Sequence, residues 1–376
     1  MRRFPTDGGL LLFERRTRRL FAYNETARVV WDLLAAERPI SDAAAEISHR
    51  WGVAPSRARA DVQAILSQWR AQGVLAGGRS SPAAGPATVK PLAGRRVRPS
   101  RTAERWICTF RGVAIAFTVD SDKLAAARAM LAHLETPAAK PQVQISVIAN
   151  GVDEFVLRRD GRELARTGDL ALVMGGLWQM VLESVYPETR WLALMHGAAM
   201  ARDGNGIALS APSGSGKSTL AAGLLRAKFD FLADDLVPMS APDGMIVPWP
   251  LPLSIKPGSA SIVGRFFPQL AMAPPYRTKG MQARLLAPPA SAWELHPVPL
   301  KWLVFPRFVE GGKPDCRRIS AFEAIERLLL DRIWLGCPLH EANVAAFVDI
   351  LNATPAFALS YGALDDGVRM VKDIVA

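Results

Sequence analysis

Lys217 and Ser218 sit near the end of the string Ala211-Pro212-Ser213-Gly214-Ser215-Gly216-Lys217-Ser218-Thr219. A cation and a hydroxyl placed just after two glycines are what a polyphosphate site needs. Successive N–H groups of such a loop turn inward on an anion, and a following helix adds the partial positive charge of its N-terminus. Gly214 and Gly216 permit torsions, and a close phosphate approach, that a side chain would block. The Lys217 ammonium can reach β- and γ-phosphates, and the Ser218 hydroxyl can ligate Mg²⁺. One position departs from the usual pattern: Ala211 stands where glycine is common, a difference of one methyl group.

Two further groups lie within reach along the chain. The run Phe231-Leu232-Ala233 ends in Asp234-Asp235. Adjacent carboxylates beside a phosphate loop can divide the work, one holding or orienting a metal and the other accepting a proton from an attacking hydroxyl. His196-Gly197 lies fifteen residues before Ala211, inside the apolar run 192–200. Alone, a histidine in such a run is ordinarily a satisfied core residue.

These side chains need elements to position them. Residues 206–210 read as a buried strand and 220–227 as a helix, the strand–loop–helix context that a P-loop requires. Residues 231–233 then arrive as the second strand of a βαβ unit, which would bring both carboxylates to the sheet edge beside the phosphates. Upstream, 106–110, 113–119, 142–149 and 154–158 read as strands, with a hairpin turn at Asp160-Gly161. Residues 124–134 and 169–186 read as helices, the second strongly apolar.

The N-terminal block has another character. Residues 10–13 and 19–23 suggest a hairpin, followed by three helices. Asn24 or Thr26 could cap the first, Ser41 opens the second, which stops at Gly52, and Ser56 opens the third, which stops at Gly73. Val74-Leu75 could start a wing strand. The chain therefore divides into a winged-helix unit at 1–76, a basic Pro/Gly-rich linker at 77–104 and a large α/β domain at 105–376. The last comprises a β-rich part at 105–190 and a P-loop core at 191–376.

The order His-Gly, P-loop, strand-Ala-Asp-Asp resembles the catalytic core of HPr kinase/phosphorylase, P-loop kinases of the phosphoenolpyruvate carboxykinase-like superfamily. The resemblance is strong over 191–236 and weaker through 237–376. It implies an HPr-kinase-like fold and an ATP- and Mg²⁺-dependent kinase. Ser213 to Thr219 would bind nucleotide, Lys217 the phosphates, and Ser218 would help hold Mg²⁺. Asp234 would be the general base, oriented by His196, and Asp235 would act on the metal. Downstream the acidic metal-site segment of the parent family gives way to Pro248-Trp249-Pro250-Leu251-Pro252-Leu253-Ser254-Ile255-Lys256-Pro257-Gly258, which is closer to the divergent HPr-kinase-related group. Lys256, Lys279 and Arg307 are candidates for extra phosphate contacts. The parent family forms rings, and no motif here carries a homo-oligomer over.

Residues 8–76 resemble a PqqD-like domain. The motifs are Leu20-Phe21-Ala22-Tyr23-Asn24-Glu25-Thr26-Ala27, Val30-Trp31-Asp32-Leu33-Leu34, Ile47, Asp61-Val62 and Gly73-Val74-Leu75. Such domains are recognition elements for ribosomally made, modified peptides. The resemblance implies that a precursor's leader adds as a strand on the hairpin edge and against a helix.

Charge and composition narrow the partners. The chain holds 46 basic and 35 acidic residues, net +11, nearly all of the excess within the first 105 residues. That argues against a uniformly basic nucleic-acid binder and suits an N-terminal module facing an acidic partner such as a leader peptide. Arg95, Arg96, Arg98 and Arg101 could form a phosphate- or peptide-binding arm, or simply solvate a tether. Cys108, Cys316 and Cys337 are too widely spaced for a disulfide framework or a cysteine zinc site. The longest apolar stretch, 170–182, falls short of the roughly 20 residues of a membrane span, so a cytoplasmic location is expected. Two functions fit: a kinase acting on a precursor peptide, on serine by expectation, or a nucleotide-responsive winged-helix regulator that binds DNA.

Overall fold

The computed structural model describes residues 1–75, 99–100, 102–120, 124–151, 154–278, 281–331, 333–336 and 339–376. Arg95, Arg96, Arg98, Arg101, Lys279, Cys337 and most of the expected linker lie outside these.

The chain is mixed α/β. Its first unit is an antiparallel sheet of Arg2–Thr6, Gly9–Glu14 and Arg19–Asn24, in that order, followed by helices Glu25–Ala35, Ile40–Trp51 and Pro55–Gln72. Asn24 caps the first helix, its side chain accepting from the Ala27 N–H at 3.1 Å. The second and third end at Gly52 and Gly73, both in the left-handed region, as the glycines predict. Val74-Leu75 joins no strand. The strand Arg2–Thr6 was not legible: it carries two arginines and a proline, and only Phe4 and Thr6 are buried.

The run Leu10-Leu11-Leu12-Phe13 explains how this unit is mounted. Alternate strand residues face opposite ways, and here both faces are covered. Leu10 and Leu12 pack with Val30, Ile47, Val62, Leu66 and Trp69 of the unit's own helices. Leu11 and Phe13, with Phe4, join the buried cluster of the large domain that includes Val344, Phe347 and Leu351. The turn between the first two strands meets the start of helix Ala321–Leu330, where the Phe322 N–H donates to the Asp7 carbonyl at 3.1 Å. A side chain at Gly9 would collide with the Phe322 ring and the Tyr23 carbonyl. Glu341 pairs with Arg15 and, at 3.3 Å, with Arg2.

The β-rich part is a five-stranded sheet: Glu104–Phe110, Val113–Asp120, Val143–Ala149, Phe155–Arg159 and Arg162–Thr167, in sequence order. The expected turn forms, with Asp160 and Gly161 both at positive φ. Helix Leu170–Val185 buries Val173, Leu177 and Val181.

The core of 191–376 is a ten-stranded sheet. The P-loop strand Asn205–Leu209 lies between Ala198–Arg202, antiparallel to it, and Val298–Phe308, parallel to it. Asp230–Asp234 pairs with Ala198–Arg202 rather than with the P-loop strand. The expected direct βαβ neighbours are thus separated by one inserted strand. The register still serves the site, because Leu209 and Asp234 both lie opposite Ala198. The strand that follows His196-Gly197 therefore brings the P-loop and the two carboxylates to one level.

Candidate functional site

The loop after Leu209 wraps toward helix Lys217–Arg226, with Gly214 at φ 96° and Gly216 at φ 92°. Gly216 is the helix N-cap, and a Cβ there would stand 3.1 Å from the Tyr361 hydroxyl and 3.3 Å from the Phe308 Cβ. Both torsion and space therefore demand glycine. Ser213, Gly214, Gly216, Lys217, Ser218 and Thr219 line a cavity of about 560 Å³, with His196, Asp234 and Asp235. Among the expected loop residues, Ser215 does not line it. Its N–H donates to the Pro212 carbonyl at 3.2 Å and its carbonyl accepts from Phe308 N–H at 3.1 Å, which braces the loop. Ala211, at the atypical first position, is buried.

Lys217 is buried, and its ammonium donates to the carbonyls of Ala211 and Pro212, the second at 3.4 Å. Burial draws its pKa below the usual lysine value; Asp331, then Asp234 and Asp235, oppose that shift.

The adjacent carboxylates sit in different surroundings. Asp234 is 2% exposed and accepts from the Ser218 hydroxyl at 2.9 and 3.2 Å and from the Ser254 N–H at 3.2 Å. Burial, with the charge of Asp235 second, pushes its pKa up to about 7. Asp235 is at φ 68°, a left-handed torsion that turns its exposed carboxylate to the His196 ring, with Nε2 3.4 Å from Oδ1. The structure thus places His196 beside Asp235, while the carboxylate that meets Ser218 is Asp234. Successive strand residues point to opposite sides, and the turn after Asp234 sends the next carboxylate to the histidine.

Ser218 and Asp234 are hard oxygen donors side by side, which fits Mg²⁺. That ion takes one or two protein oxygens and completes its shell with water and phosphate. Among the described residues no group of three or more His, Cys, Asp or Glu side chains is arranged to hold a metal by itself.

The second wall comes from the Pro-rich segment 248–258. Trp249 bridges to Ala233, and its N–H donates to the Leu232 carbonyl at 2.7 Å. Strand Leu253–Ile255 then presents the Ser254 N–H to Asp234 and the Ser254 hydroxyl to Tyr276, 2.6 Å away. Lys256, at the N-cap of helix Pro257–Gly264, reaches across to the Ser213 hydroxyl at 2.8 Å. It joins the cavity, whereas Arg307 is exposed on its strand and does not line it. Ser254, Tyr276, Phe308 and Tyr361 carry no local motif, and only the lysine within the Pro-rich string pointed to this wall.

One consequence is measurable without any ligand. The Asp234 carboxyl titrates near 3.8 when exposed and near 7 when folded. Between those values the folded chain holds a proton that the unfolded chain has lost, so this group lowers stability as pH rises through the window. Asp234→Asn is uncharged throughout. In nucleotide-free, Mg²⁺-free buffer it melts several degrees above the native chain at about pH 8, and the gap closes as pH falls toward about 4. Equal melting temperatures at pH 8 would show that burial does not penalise the carboxylate.

Comparison with known proteins adds the following. Residues 9–75 match the family model of PqqD, coenzyme PQQ synthesis protein D. Among solved structures, the Hpr(Ser) kinase/phosphatase from Coxiella burnetii aligns with 48% of this chain and 97% of its own length, at 9% identity and a TM-score of 0.24. No curated protein matches the chain. Among the described residues no helix is long and apolar enough to cross a membrane. Residues 9–75 are therefore similar to PqqD, and they are mounted on an α/β part of the chain that contains the cavity at the glycine-rich loop.

Proposed function

We propose that the chain is an ATP- and Mg²⁺-dependent kinase that phosphorylates a ribosomally made precursor peptide, serine being the expected acceptor. The observation that carries this reading is the pair of carboxylates at the mouth of the P-loop, one on Ser218 and one on His196. Ser218 and Asp234 would hold Mg²⁺, which when bound neutralises phosphate charge. The loop N–H groups and Lys217 bind and orient the γ-phosphate, with Lys256 a second cation at the loop's other lip. Asp235 takes the proton of the acceptor hydroxyl as its oxygen bonds to the γ-phosphorus and the bond to the β-phosphate oxygen breaks.

The PqqD domain supports a peptide substrate. Strand Arg19–Asn24 ends its sheet, and among the described residues no strand pairs with its outer edge. Helix Pro55–Gln72 runs beside it, tied by Tyr23 to Gln72 at 2.5 Å. A leader adding to that edge gains main-chain hydrogen bonds, and the exposed Arg16 and Arg18 at the hairpin turn suit an acidic one.

The test is incubation with ATP, Mg²⁺ and a precursor peptide encoded beside this chain's gene, followed by mass spectrometry of the peptide. One added phosphate is expected. Lys217→Ala should bind nucleotide weakly and transfer none, because the loop loses its own cation. Native turnover in that variant would overturn the P-loop assignment. Binding of an operator-like DNA duplex in place of the peptide would favour a regulator.

A further inference from the structure

The His196 ring has a second carboxylate behind it. Asp331 follows helix Ala321–Leu330 as its C-cap, with its N–H donating to the Arg327 carbonyl at 3.0 Å. Its side chain is 10% exposed, and each oxygen meets one polar neighbour. Oδ1 stands 3.4 Å from His196 Nδ1, and Oδ2 accepts from the Ser210 hydroxyl at 3.2 Å. The ring is thus held between a half-buried carboxylate at Nδ1 and an exposed one at Nε2. Ser210 is the last residue before the P-loop proper, and it is buried.

We infer that Asp331 is a positioning residue for phosphoryl transfer: it fixes the orientation and tautomer of His196 so that Nε2 faces Asp235. The inference rests on the kinase reading above. Both carboxylates can only accept, but the Asp331 side chain is 10% exposed and that of Asp235 63%, so water screens Asp235 far more. In the neutral ring the proton therefore sits on Nδ1 against Asp331, and Nε2 faces the solvated Asp235. That ring can share the proton that Asp235 removes from the acceptor hydroxyl, and no group other than the acceptor loses one. Asp331 touches neither the cavity nor a substrate; it acts through the ring. A largely shielded carboxylate with a polar neighbour at each oxygen holds one geometry, which a solvent-exposed partner would not.

The test uses Asp331→Asn and Asp331→Glu in the full-length chain. In Asp331→Asn the amide can donate to Nδ1, so the favoured neutral tautomer becomes Nε2–H. Long-range ¹H–¹⁵N spectra of the His196 ring should show Nδ1–H in the native protein and a shift to Nε2–H in the variant. Turnover of precursor should fall by roughly 10- to 100-fold, while the KM for ATP does not rise, since the variant removes a negative charge near the phosphates. Asp331→Glu should recover part of both readouts. An unchanged ring spectrum, or unchanged kcat, in a folded Asp331→Asn protein overturns the inference. If Asp331→Asn does not fold, Asp331→Glu decides: a native spectrum with native kcat supports the role, and a displaced tautomer with native kcat sinks it. The ring spectrum needs no phosphotransfer. A native protein that shows the Nδ1–H ring but phosphorylates no peptide would therefore count against the kinase reading and leave the anchoring of His196 standing.

Discussion

Asp235→Asn should keep its affinity for ATP and lose kcat by roughly 10²–10⁴-fold. The amide preserves shape but cannot accept the acceptor hydroxyl's proton. Position decides which carboxylate this applies to. Asp235 is exposed and beside the one imidazole in the cavity lining, so it is where an incoming hydroxyl would arrive. Asp234 is buried and already accepts from the Ser218 hydroxyl and the Ser254 N–H. Asp234→Asn should therefore raise the Mg²⁺ concentration needed for half-maximal rate and leave much of kcat at saturating metal. Steady-state rates on precursor over a Mg²⁺ series separate the two. The reverse pattern, with Asp234→Asn silent to metal and lowest in kcat, would restore the division that the family resemblance implies. Equal, mild effects at both would make the pair a structural turn.

The sequence carried the parts of this site but not their pairing. A P-loop is legible because its chemistry is local, nine consecutive residues that fold on themselves. Asp234-Asp235 and His196 were legible as ingredients. Which acid meets the histidine depends on the inserted strand Ala198–Arg202, on its register and on the left-handed torsion at Asp235. None of these is written in a residue type. Asp331 was invisible for a plainer reason: it is far from His196 in sequence, after a helix whose pattern says only that it is amphipathic. The wall at 248–258 shows the converse. Its prolines look like a break in structure, yet they hold an extended path that carries Ser254 and Lys256 to the phosphate loop.

The fold was legible in the same uneven way. Helix stops at Gly52 and Gly73, the cap at Asn24 and the turn at Asp160-Gly161 follow from backbone chemistry that a single residue enforces. The strands Arg2–Thr6 and Arg162–Thr167 escaped because edge strands bury little and their residues look polar. The run Leu10-Leu11-Leu12-Phe13 reads as a strand, and its missing alternation carries more. A strand with no polar face is covered on both sides. One side is the unit's own helices, so something else must cover the other.

That second cover sets the last expected result. Cutting the chain at a protease site inserted within 76–98 should leave the two pieces together through gel filtration, with precursor turnover retained. A flexible tether between independent modules would give two separate pieces instead. The contact favours the first outcome on magnitude. Phe4, Leu11 and Phe13 are 8%, 0% and 2% exposed, and full burial of such side chains contributes about 1.5–3 kcal/mol each as an upper bound. The facing residues of helices Ala321–Leu330 and Glu341–Ala353 lose their own exposure at the same time. Several kcal/mol is a large share of a domain's net stability of about 5–15 kcal/mol. Deleting residues 1–75 should therefore lower the melting temperature of the remainder and promote aggregation, and precursor turnover should fall further because tethering of the leader is lost. Supplying 1–75 in trans should restore both, since the docking face is preformed. Gel filtration of the cut chain, with melts and turnover of the deleted one, tests this directly. Two separate peaks, with a large piece that melts like the intact chain, would mean that the sheet's outer face contributes nothing to holding residues 1–75 on the rest of the chain.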